Sequence, residues 1–398
     1  MAGLSSIKLI LQVYKWWKVA VVASTIVVSC GFSESAAAEC FPALFQFGDS
    51  LSDTGNVEAL YPTISPAAFL PYGRTAFHKP ADRYSDGRLV IDFLAQAINL
   101  PFINPYLKSI GTSFTQGVNF AVGGATIHNS SFFEKNNISM ILPYSLLRQV
   151  DWYLRFKANV VTTYNSTGWQ NQLPNLSAFA QGLHVIGEIG GNDYSFAFEK
   201  GLSTERVSQM VPSIIEVVES SIQSLYSSGA RNFLVVNLPP AGCTPYYLSI
   251  FVSNASDYDE MGCLSSYNNV ITLHNNMLKS SIMGLRKQLF NATLLYADFE
   301  GIFKDVYKNP HRYGISTTQT ACCGGGKGQR TTSIYCGQTK ITPCSNPSEY
   351  FYWDQVHPTE NFNRINAIAY LSGQYLDPPY GFRSRCYLNY QSLYDSIK

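Results

Sequence analysis

The sequence predicts an α/β fold in which helices cover a parallel β-sheet. Short apolar runs alternate along the chain with longer stretches of helical spacing, which is the pattern of repeated strand and helix units. Glycine and polar residues cluster directly after several of these runs. Such clusters are expected where the carboxyl ends of parallel strands meet along one edge of a sheet and bind ligands.

The predicted strands are five apolar runs that end at glycine, proline or polar residues. They cover residues 43–47, 118–121, 183–189, 232–237 and 293–297. Helical spacing predicts helices over residues 145–160, 205–227, 267–289 and 359–371. The chain of 398 residues shows no internal repeat or linker that divides it, so we expect residues 39–398 to form a single domain.

The composition excludes some classes of function. Hydrophobic residues make up 46% of the chain, charged residues 14%, and the formal net charge is +1. A sizeable core is therefore expected, and without a run of Lys or Arg no nucleic-acid partner is predicted. Beyond the first forty residues no stretch approaches about 18 consecutive apolar residues, so no stable membrane insertion is expected. The oligomeric state is left open.

The first 38 residues have the pattern of a signal peptide. Lys8, Lys15 and Lys18 precede an apolar run over residues 19–28, and alanines occupy residues 36–38. We therefore expect a secreted protein, in the extracellular space or cell wall, with the vacuole as an alternative.

Cysteines and glycosylation motifs agree with secretion. Eight cysteines follow Cys30 of the leader: Cys40, Cys243, Cys263, Cys322, Cys323, Cys336, Cys344 and Cys386. An oxidising compartment predicts that most form disulfides, with the pairing left open. Zinc binding within residues 322–344 is an alternative, but the spacing is not a usual ligand pattern, and no metal is predicted. Six Asn-X-Ser/Thr motifs predict glycosylation at Asn129, Asn137, Asn165, Asn175, Asn254 and Asn291.

A serine follows the first predicted strand in a setting that suits a nucleophile. Ser50 comes two residues after Gly48 and just past the apolar run. A tight turn there can hold the hydroxyl exposed and in a fixed position, as nucleophilic catalysis requires. The alternative interpretation is a serine that caps a helix or fills a polar turn.

Asp354 and His357, in Asp-Gln-Val-His-Pro, form a candidate pair for general base catalysis. Imidazole has an ordinary pKa of roughly 6.5, suited to removing a hydroxyl proton. A carboxylate on its other nitrogen selects the required tautomer, and an aspartate three residues ahead can reach it. The alternative is a surface Asp–His pair before a helix.

Two further loops offer hydrogen-bond donors. Gly124 follows the second predicted strand, and Asn192 follows the third. Backbone N–H groups and an asparagine amide can stabilise the negative oxygen of a tetrahedral intermediate. Both residue types are also common in ordinary turns.

In this order and spacing, the four blocks resemble the plant GDSL esterase/lipase family of the SGNH-hydrolase superfamily. The strings are Gly-Asp-Ser-Leu at 48–51, the glycine of the second block, Gly-X-Asn-Asp at 190–193 and Asp-X-X-His at 354–357. The resemblance runs from about residue 41 to about residue 376. Strings typical of the plant branch stand at 71–74, 83–88, 238–243 and 321–324.

The resemblance implies a flavodoxin-like, three-layer α/β/α fold with a parallel sheet of about five strands, and an ester hydrolase without a cofactor. It implies Ser50 as nucleophile, His357 as general base and Asp354 as the acid that orients His357. An oxyanion hole is implied from the N–H groups of Ser50 and Gly124 and the Asn192 amide, with adjacent Gly123 leaving a one-residue ambiguity. The expected partner is a small-molecule or polysaccharide ester: acetylated sugars, short acyl esters or phenolic esters.

Two alternative functions remain beside the hydrolase. One is an acyltransferase that uses the same acyl-Ser50 intermediate, and the other is a secreted carbohydrate-binding protein without turnover. Five other histidines lack an aspartate at the same spacing and are interpreted as structural: His78, His128, His184, His274 and His311.

Overall fold

The fold is built around a six-stranded sheet. The computed structural model describes residues 40–140, 142–166, 170–251, 254–324, 336–337, 341–382 and 386–395. The strands are β1 (Leu44–Phe47), β2 (Gly117–Asn119), β3 (Leu183–Ile186), β4 (Asn232–Val236), β5 (Thr293–Ala297), β6 (Thr317–Ala321), β7 (Tyr350–Tyr352) and β8 (Leu376–Asp377). The main sheet has the order β2-β1-β3-β4-β5-β8, and β6 pairs with β7 separately. The first five strands are parallel and β8 is antiparallel to β5.

The α-helices that the structure describes lie between and after these strands. They are α1 (Asn56–Leu60), α2 (Val90–Ala97), α3 (Ser130–Lys135), α4 (Leu146–Ser166), α5 (Ala178–Gln181), α6 (Gly191–Glu199), α7 (Thr204–Ser208), α8 (Val211–Ser227), α9 (Pro245–Ile250), α10 (Ser265–Gln288), α11 (Phe299–Lys308) and α12 (Glu360–Ser372). The last begins as the sequence predicts, because the Thr359 hydroxyl caps it by accepting from the Phe362 N–H at 3.4 Å.

Alternate residues of the strands divide the core between the two faces of the sheet. Phe45, Phe233 and Leu294 pack into one apolar cluster together with side chains of α4, α8 and α10. Their neighbours Leu44, Leu234 and Leu295 pack into a second cluster with α2, α11 and α12. Successive side chains of a strand point to opposite faces, so both faces of this sheet must be covered by helices. This confirms the predicted α/β/α fold with a parallel sheet of about five strands.

The structure differs from the predicted elements in several places: the helix predicted over residues 145–160 continues to Ser166 as α4, and β6 and β7 were not predicted. The third strand ends at Ile186 rather than at residue 189, because Gly187 has a φ of 113° and turns the chain beside Val236. The helix predicted over residues 205–227 is two helices, α7 and α8, with Pro212 in the first turn of α8. Proline fits that first turn because the N–H that it lacks has no partner within the helix there. The two-residue β8 is too short to show a periodic pattern.

Four disulfides confirm the interpretation of the eight cysteines. They join Cys40 to Cys386, Cys243 to Cys263, Cys322 to Cys344, and Cys323 to Cys336. The four cysteines within residues 322–344 are therefore not available as zinc thiolates.

The described residues from Cys40 onward belong to one compact unit. The leader predicted over residues 1–38 lies outside the described residues and stays a prediction. In the part of the chain that the structure describes, no helix has both the length and the apolar character needed to cross a bilayer.

Candidate active site

The loops after β1, β2 and β3 bring three of the candidate residues to one edge of the sheet. Ser50 follows β1, the central strand of the three, while Gly124 follows β2 and Asn192 follows β3. The chain order reverses at β1, since β2 lies on one side of it and β3 on the other. Such a switch point leaves a crevice beyond the carboxyl ends of the strands, where ligands bind in open α/β sheets.

The turn that carries Ser50 is fixed through the backbone of Gly48. The Gln149 side chain on α4 accepts from the Gly48 N–H at 2.9 Å and donates to the Gly48 carbonyl at 2.8 Å. A Cβ on Gly48 would lie 2.9 Å from Ser52 Oγ and 3.1 Å from the Glu188 carbonyl oxygen, so a larger residue would displace its neighbours. The half-buried Ser50 therefore leaves the strand on a backbone that cannot shift freely.

The buried Asp53 carboxylate links the Ser50 loop to the loop after β2. Oδ1 accepts from the N–H groups of Gly55 and Asn56 at 2.7 and 2.6 Å. Oδ2 accepts from Val57 at 3.0 Å and from Gly123 at 2.8 Å. Four N–H groups on one carboxylate hold the two loops in register.

Ser50, His357 and Asp354 form one chain of hydrogen bonds. His357 Nε2 lies 2.8 Å from Ser50 Oγ, and Nδ1 lies 2.8 Å from Asp354 Oδ2 and 2.9 Å from Oδ1. Asp354 Oδ1 also accepts from the backbone N–H groups of Val356 and His357, at 2.8 and 2.7 Å. Burial opposes the ionised form of Asp354, but the charge and hydrogen bonds of His357 outweigh it and lower the pKa of Asp354.

The backbone donors favour Gly124 over Gly123 as the glycine of the site. The Gly123 N–H is engaged with Asp53. The half-buried Gly124 has a φ of 77°, and within the described residues its N–H and that of Ser50 have no hydrogen-bond acceptor. Two N–H groups without a protein partner, on the adjacent loops after β1 and β2, are free to donate to a substrate oxygen.

Asn192 lies in the first turn of α6, and its amide donates to the Ala125 carbonyl at 2.9 Å. Its neighbour Asp193 is buried and accepts from the N–H groups of Ile127 at 2.8 Å and His128 at 3.1 Å. Both side chains thus hold the loop that contains Gly124 against α6. The amide of Asn192 has a second hydrogen that remains for a ligand, since NH₂ is a double donor.

Sequence reasoning missed the contacts that surround the His–Asp pair. Tyr72 donates from its hydroxyl to Asp354 Oδ2 at 2.8 Å, and the Tyr84 ring centroid lies 4.8 Å from that of His357. Both tyrosines stand in strings at 71–74 and 83–88 that carried the family resemblance, which was the available signal. Their partners are more than 270 positions away, and no local pattern indicates such a pairing.

The string at 83–88 also anchors the start of α12. Ser85 Oγ donates to the Pro358 carbonyl at 3.1 Å, and Asp86 Oδ1 accepts from the Glu360 N–H at 2.8 Å. The Arg88 guanidinium donates through Nε and Nη2 to Glu360 Oε1, at 3.1 and 2.6 Å. These contacts fix the chain directly after His357.

Three buried carboxyl groups lie behind the site. Burial raises the pKa of Asp49, Glu188 and Asp193 to about 7 in each case. Asp49 feels the neighbouring charge of Glu188, which raises its pKa further, and the charge of His357, which lowers it. These three carboxyl groups are therefore largely protonated in mildly acidic solution.

Two of the other histidines, His184 and His274, are buried and paired with tyrosines. Burial lowers the pKa of both His184 and His274 to about 3, so both are neutral, and each contacts a tyrosine hydroxyl: Tyr153 at 2.9 Å and Tyr194 at 2.7 Å. Among the described residues no group of three or more His, Cys, Asp or Glu side chains is arranged to hold a metal ion.

A Ser–His–Asp chain of hydrogen bonds at the strand ends of a parallel α/β sheet is the arrangement of a serine hydrolase. The family model for the GDSL-like lipase/acylhydrolase domain matches residues 44–369, and the chain belongs to that family. It is a carboxylic ester hydrolase, in agreement with the sequence prediction.

Two plant relatives match this chain over most of their own length. A GDSL esterase/lipase of Arabidopsis thaliana is 36% identical over 359 residues, which are 87% of this chain and 91% of the relative. The sinapine esterase of Brassica napus is 36% identical over 365 residues, 90% of this chain and 91% of the relative. Among solved structures, phospholipase A1 from Streptomyces albidoflavus matches with a TM-score of 0.33 and 13% identity, over 84% of this chain and 99% of that chain.

Proposed function

We propose that the protein is a secreted ester hydrolase that works through an acyl-Ser50 intermediate. The observation that supports this best is the continuous path from Ser50 Oγ to His357 Nε2 and from His357 Nδ1 to Asp354, each at 2.8 Å. Hydrogen-bond contact of nucleophile with base, and of base with an orienting acid, is the geometry that makes a serine hydroxyl reactive.

In the first half of the reaction, Ser50 Oγ attacks the ester carbonyl carbon and its proton moves to His357 Nε2. The Asp354 carboxylate accepts the Nδ1 hydrogen and stabilises the imidazolium. The tetrahedral intermediate collapses, the bond to the alcohol oxygen breaks, and His357 donates its proton to the departing alkoxide. Ser50 then carries the acyl group.

Water completes the turnover. His357 takes a proton from water, whose oxygen attacks the acyl carbon, and returns that proton to Ser50 Oγ as the carboxylic acid leaves. An alcohol in place of water would make the same intermediate an acyl donor, which is the transferase alternative.

The negative oxygen of both tetrahedral intermediates would lie against the N–H groups of Ser50 and Gly124 and the amide of Asn192. What supports this assignment is the absence of a protein acceptor for the two N–H groups within the described residues. Fixed donors of this kind stabilise charge that develops only in the transition state.

The surroundings favour an uncharged acyl group. A Cβ on Gly124 would lie 3.7 Å from Leu142 Cδ1, so this leucine packs over the proposed oxyanion glycine. The Tyr84 ring flanks the site on the His357 side. We therefore include acetylated sugars, short acyl esters and phenolic esters as candidate substrates, and sinapine because of the name of the Brassica relative.

We also propose secretion and glycosylation. Four disulfides suit an oxidising compartment. All six asparagines of the Asn-X-Ser/Thr motifs are exposed, as attachment of a glycan requires: Asn129, Asn137, Asn165, Asn175, Asn254 and Asn291. The experiment is to sequence the N-terminus of the secreted protein and to digest it with an endoglycosidase. Cleavage near Ala38 and a fall in mass are expected, whereas an intact leader and unchanged mass contradict the proposal.

The catalytic proposal is tested with Ser50→Ala, His357→Ala and the double variant. Acid release from the ester panel is expected to fall by about 10⁶-fold in kcat for each single variant, with little further loss in the double variant, because the two groups act as a unit. Ser52→Ala is the matched control, since Ser52 Oγ contacts the Gly187 carbonyl rather than His357. Near-parental turnover by a folded Ser50→Ala protein would overturn the mechanism.

A further inference from the structure

The Asp354 carboxylate receives its hydrogen bonds from two different parts of the chain. Val356 and His357 are within three residues of Asp354 and move with the same loop. Tyr72 is 282 positions away and donates to Oδ2 at 2.8 Å. Oδ2 is also the oxygen that lies 2.8 Å from His357 Nδ1. Tyr72 thus connects the Asp354 carboxylate to a distant part of the chain, whereas Val356 and His357 connect it only to its own loop.

The Tyr72 side chain is itself held on several sides. It is 2% exposed, its ring meets the Trp353 ring edge-on at 5.9 Å, and it meets the Tyr84 ring at 6.1 Å. Its backbone is held next door, where the Gly73 N–H donates to the Ser85 carbonyl at 3.0 Å. Because the ring is held in place, the Tyr72 hydroxyl donates to Asp354 from a fixed direction.

The Tyr72 hydroxyl keeps its proton at neutral and mildly alkaline pH. Burial and the adjacent charge of Asp354 raise the pKa of Tyr72 well above its ordinary value. It therefore donates its hydrogen to the carboxylate throughout this range. Hydrogen bonds to a charged acceptor are stronger than those between neutral groups.

We infer that Tyr72 is a positioning residue that sets the orientation and basicity of Asp354, and through it the reactivity of His357. The inference rests on the proposed Ser50–His357–Asp354 mechanism. A carboxylate with a fixed plane presents Oδ2 to His357 Nδ1 and keeps Nε2 aimed at Ser50. The competing explanation is a buried tyrosine that uses Asp354 only to satisfy its own hydroxyl.

The test is Tyr72→Phe, which keeps the ring contacts and removes only the donor. Loss of one charge-assisted hydrogen bond is expected to lower kcat about 10-fold, with little change in KM. Without this donor the carboxylate attracts the imidazolium more strongly, so the protonated form of His357 is favoured. The acid limb of the kcat/KM profile should therefore move to higher pH.

Other groups near His357 are controlled for. Among the described residues, the titratable side chains that interact with it include Asp354, Asp49 and Tyr84. Burial raises the pKa of Asp49 to about 7, so Asp49 could itself shape the pH profile. The pH profile is therefore repeated in an Asp49→Asn background, where the shift caused by Tyr72→Phe should persist. Disappearance of the shift there would assign it to Asp49 and overturn the inference.

Two comparisons separate positioning from mere packing. Tyr153→Phe removes an equally buried phenol, bonded to His184 at 2.9 Å, and should leave kcat and the pH profile unchanged. In an Asp354→Asn background, Tyr72→Phe should have little further effect on kcat, because both act through one group. An undiminished effect in that background, or a lower melting temperature with parental kcat and pH profile, overturns the inference. Retained activity in Ser50→Ala instead overturns the proposed mechanism itself.

Discussion

The two halves of the proposed site are held by different means. The strand-end half, which consists of the loops carrying Ser50, Gly124 and Asn192, is held mostly through backbone groups: Gln149 binds both backbone atoms of Gly48, and Asp53 binds four N–H groups. The His357 segment, residues 353–360, is held by side chains from residues 72–88 and by backbone hydrogen bonds, such as that from the Tyr246 N–H to the Gln355 carbonyl. The comparison teaches that the strand ends and the side chains beneath them fix the nucleophile, while the base depends on contacts from residues more than 270 positions away.

Among the variants that test this comparison, Asp354→Asn in the His357 segment has the largest expected effect. Asparagine keeps the size of the side chain, but it removes the charge that stabilises the imidazolium and the preference for the correct tautomer. We expect kcat to fall about 10⁴-fold at neutral pH, with the fold retained. Steady-state kinetics and a melting curve measure the two quantities, and Asp305→Asn, at a half-exposed position on α11, is the control. A loss of kcat smaller than about 10-fold would show that the carboxylate does not orient or stabilise His357.

Asn192→Ala tests the strand-end half. If the amide donates to the oxyanion, kcat should fall roughly 10²–10³-fold while KM changes far less, because the bond strengthens only in the transition state. The lost contact to Ala125 should lower the melting temperature as well. Unchanged kcat with a lower melting temperature would make Asn192 purely a loop anchor.

The control for that variant is Ser195→Ala on the same helix, whose hydroxyl contacts Tyr247 at 2.9 Å. Asp193 is unsuitable, although adjacent, because its buried carboxylate holds Ile127 and His128. We expect Asp193→Ala to lose stability through those two unsatisfied N–H groups.

Arg88→Met tests the side-chain contacts that hold the start of α12. It leaves Glu360 buried without its cation, and such a change costs about 3–5 kcal/mol of unfolding free energy. Denaturant unfolding measures it, and the double variant Arg88→Met/Glu360→Met should recover part of the loss. Lys108→Met is the matched control, because the Lys108–Asp82 pair is 37% and 32% exposed and should be worth about 0–1 kcal/mol. Equal losses in both variants would contradict the importance of the Arg88 contact.

The smallest effect expected is a pH dependence in the strand-end half. Burial raises the pKa of Glu188 to about 7 from an ordinary 4.5, so the folded state binds a proton that the unfolded state releases. The stability from this proton is present below pH 4.5 and is lost as pH rises through about 7. The unfolding free energy of Glu188→Gln, relative to that of the parent, should therefore be higher at about pH 8 than at about pH 5. Denaturant unfolding at both pH values tests this, with Glu134→Gln at an exposed position as the control. A difference in unfolding free energy between variant and parent that does not vary with pH would contradict the prediction.

The comparison also explains which parts of the molecule the sequence could predict. Three site residues lie shortly after a predicted strand: Ser50, Gly124 and Asn192. Because the ends of parallel strands converge, the sequence alone predicted that they lie close together. Asp354 and His357 were predictable because the acid and base are three residues apart. Helix α10 was predicted to within two residues at each end, since its apolar positions recur over many turns.

What the sequence did not predict depends on contacts between distant positions. Nothing near Tyr72 in the sequence indicates that its hydroxyl reaches Asp354, and nothing near Arg88 indicates Glu360. The disulfide pairing was open for the same reason. The proposed preference for Gly124 over Gly123 depends on Asp53, whose carboxylate accepts a hydrogen bond from the Gly123 N–H.

The Cys40–Cys386 disulfide makes the polypeptide between its ends a covalently closed ring. It joins residues 346 positions apart, and the whole main sheet lies within that span. One proteolytic cut inside the ring opens it without releasing a fragment, unless the disulfide is reduced. The bridge also holds the first and last segments of the fold side by side, so a peptide linker between them, with new chain ends opened at a surface loop, should give a circular permutant that folds.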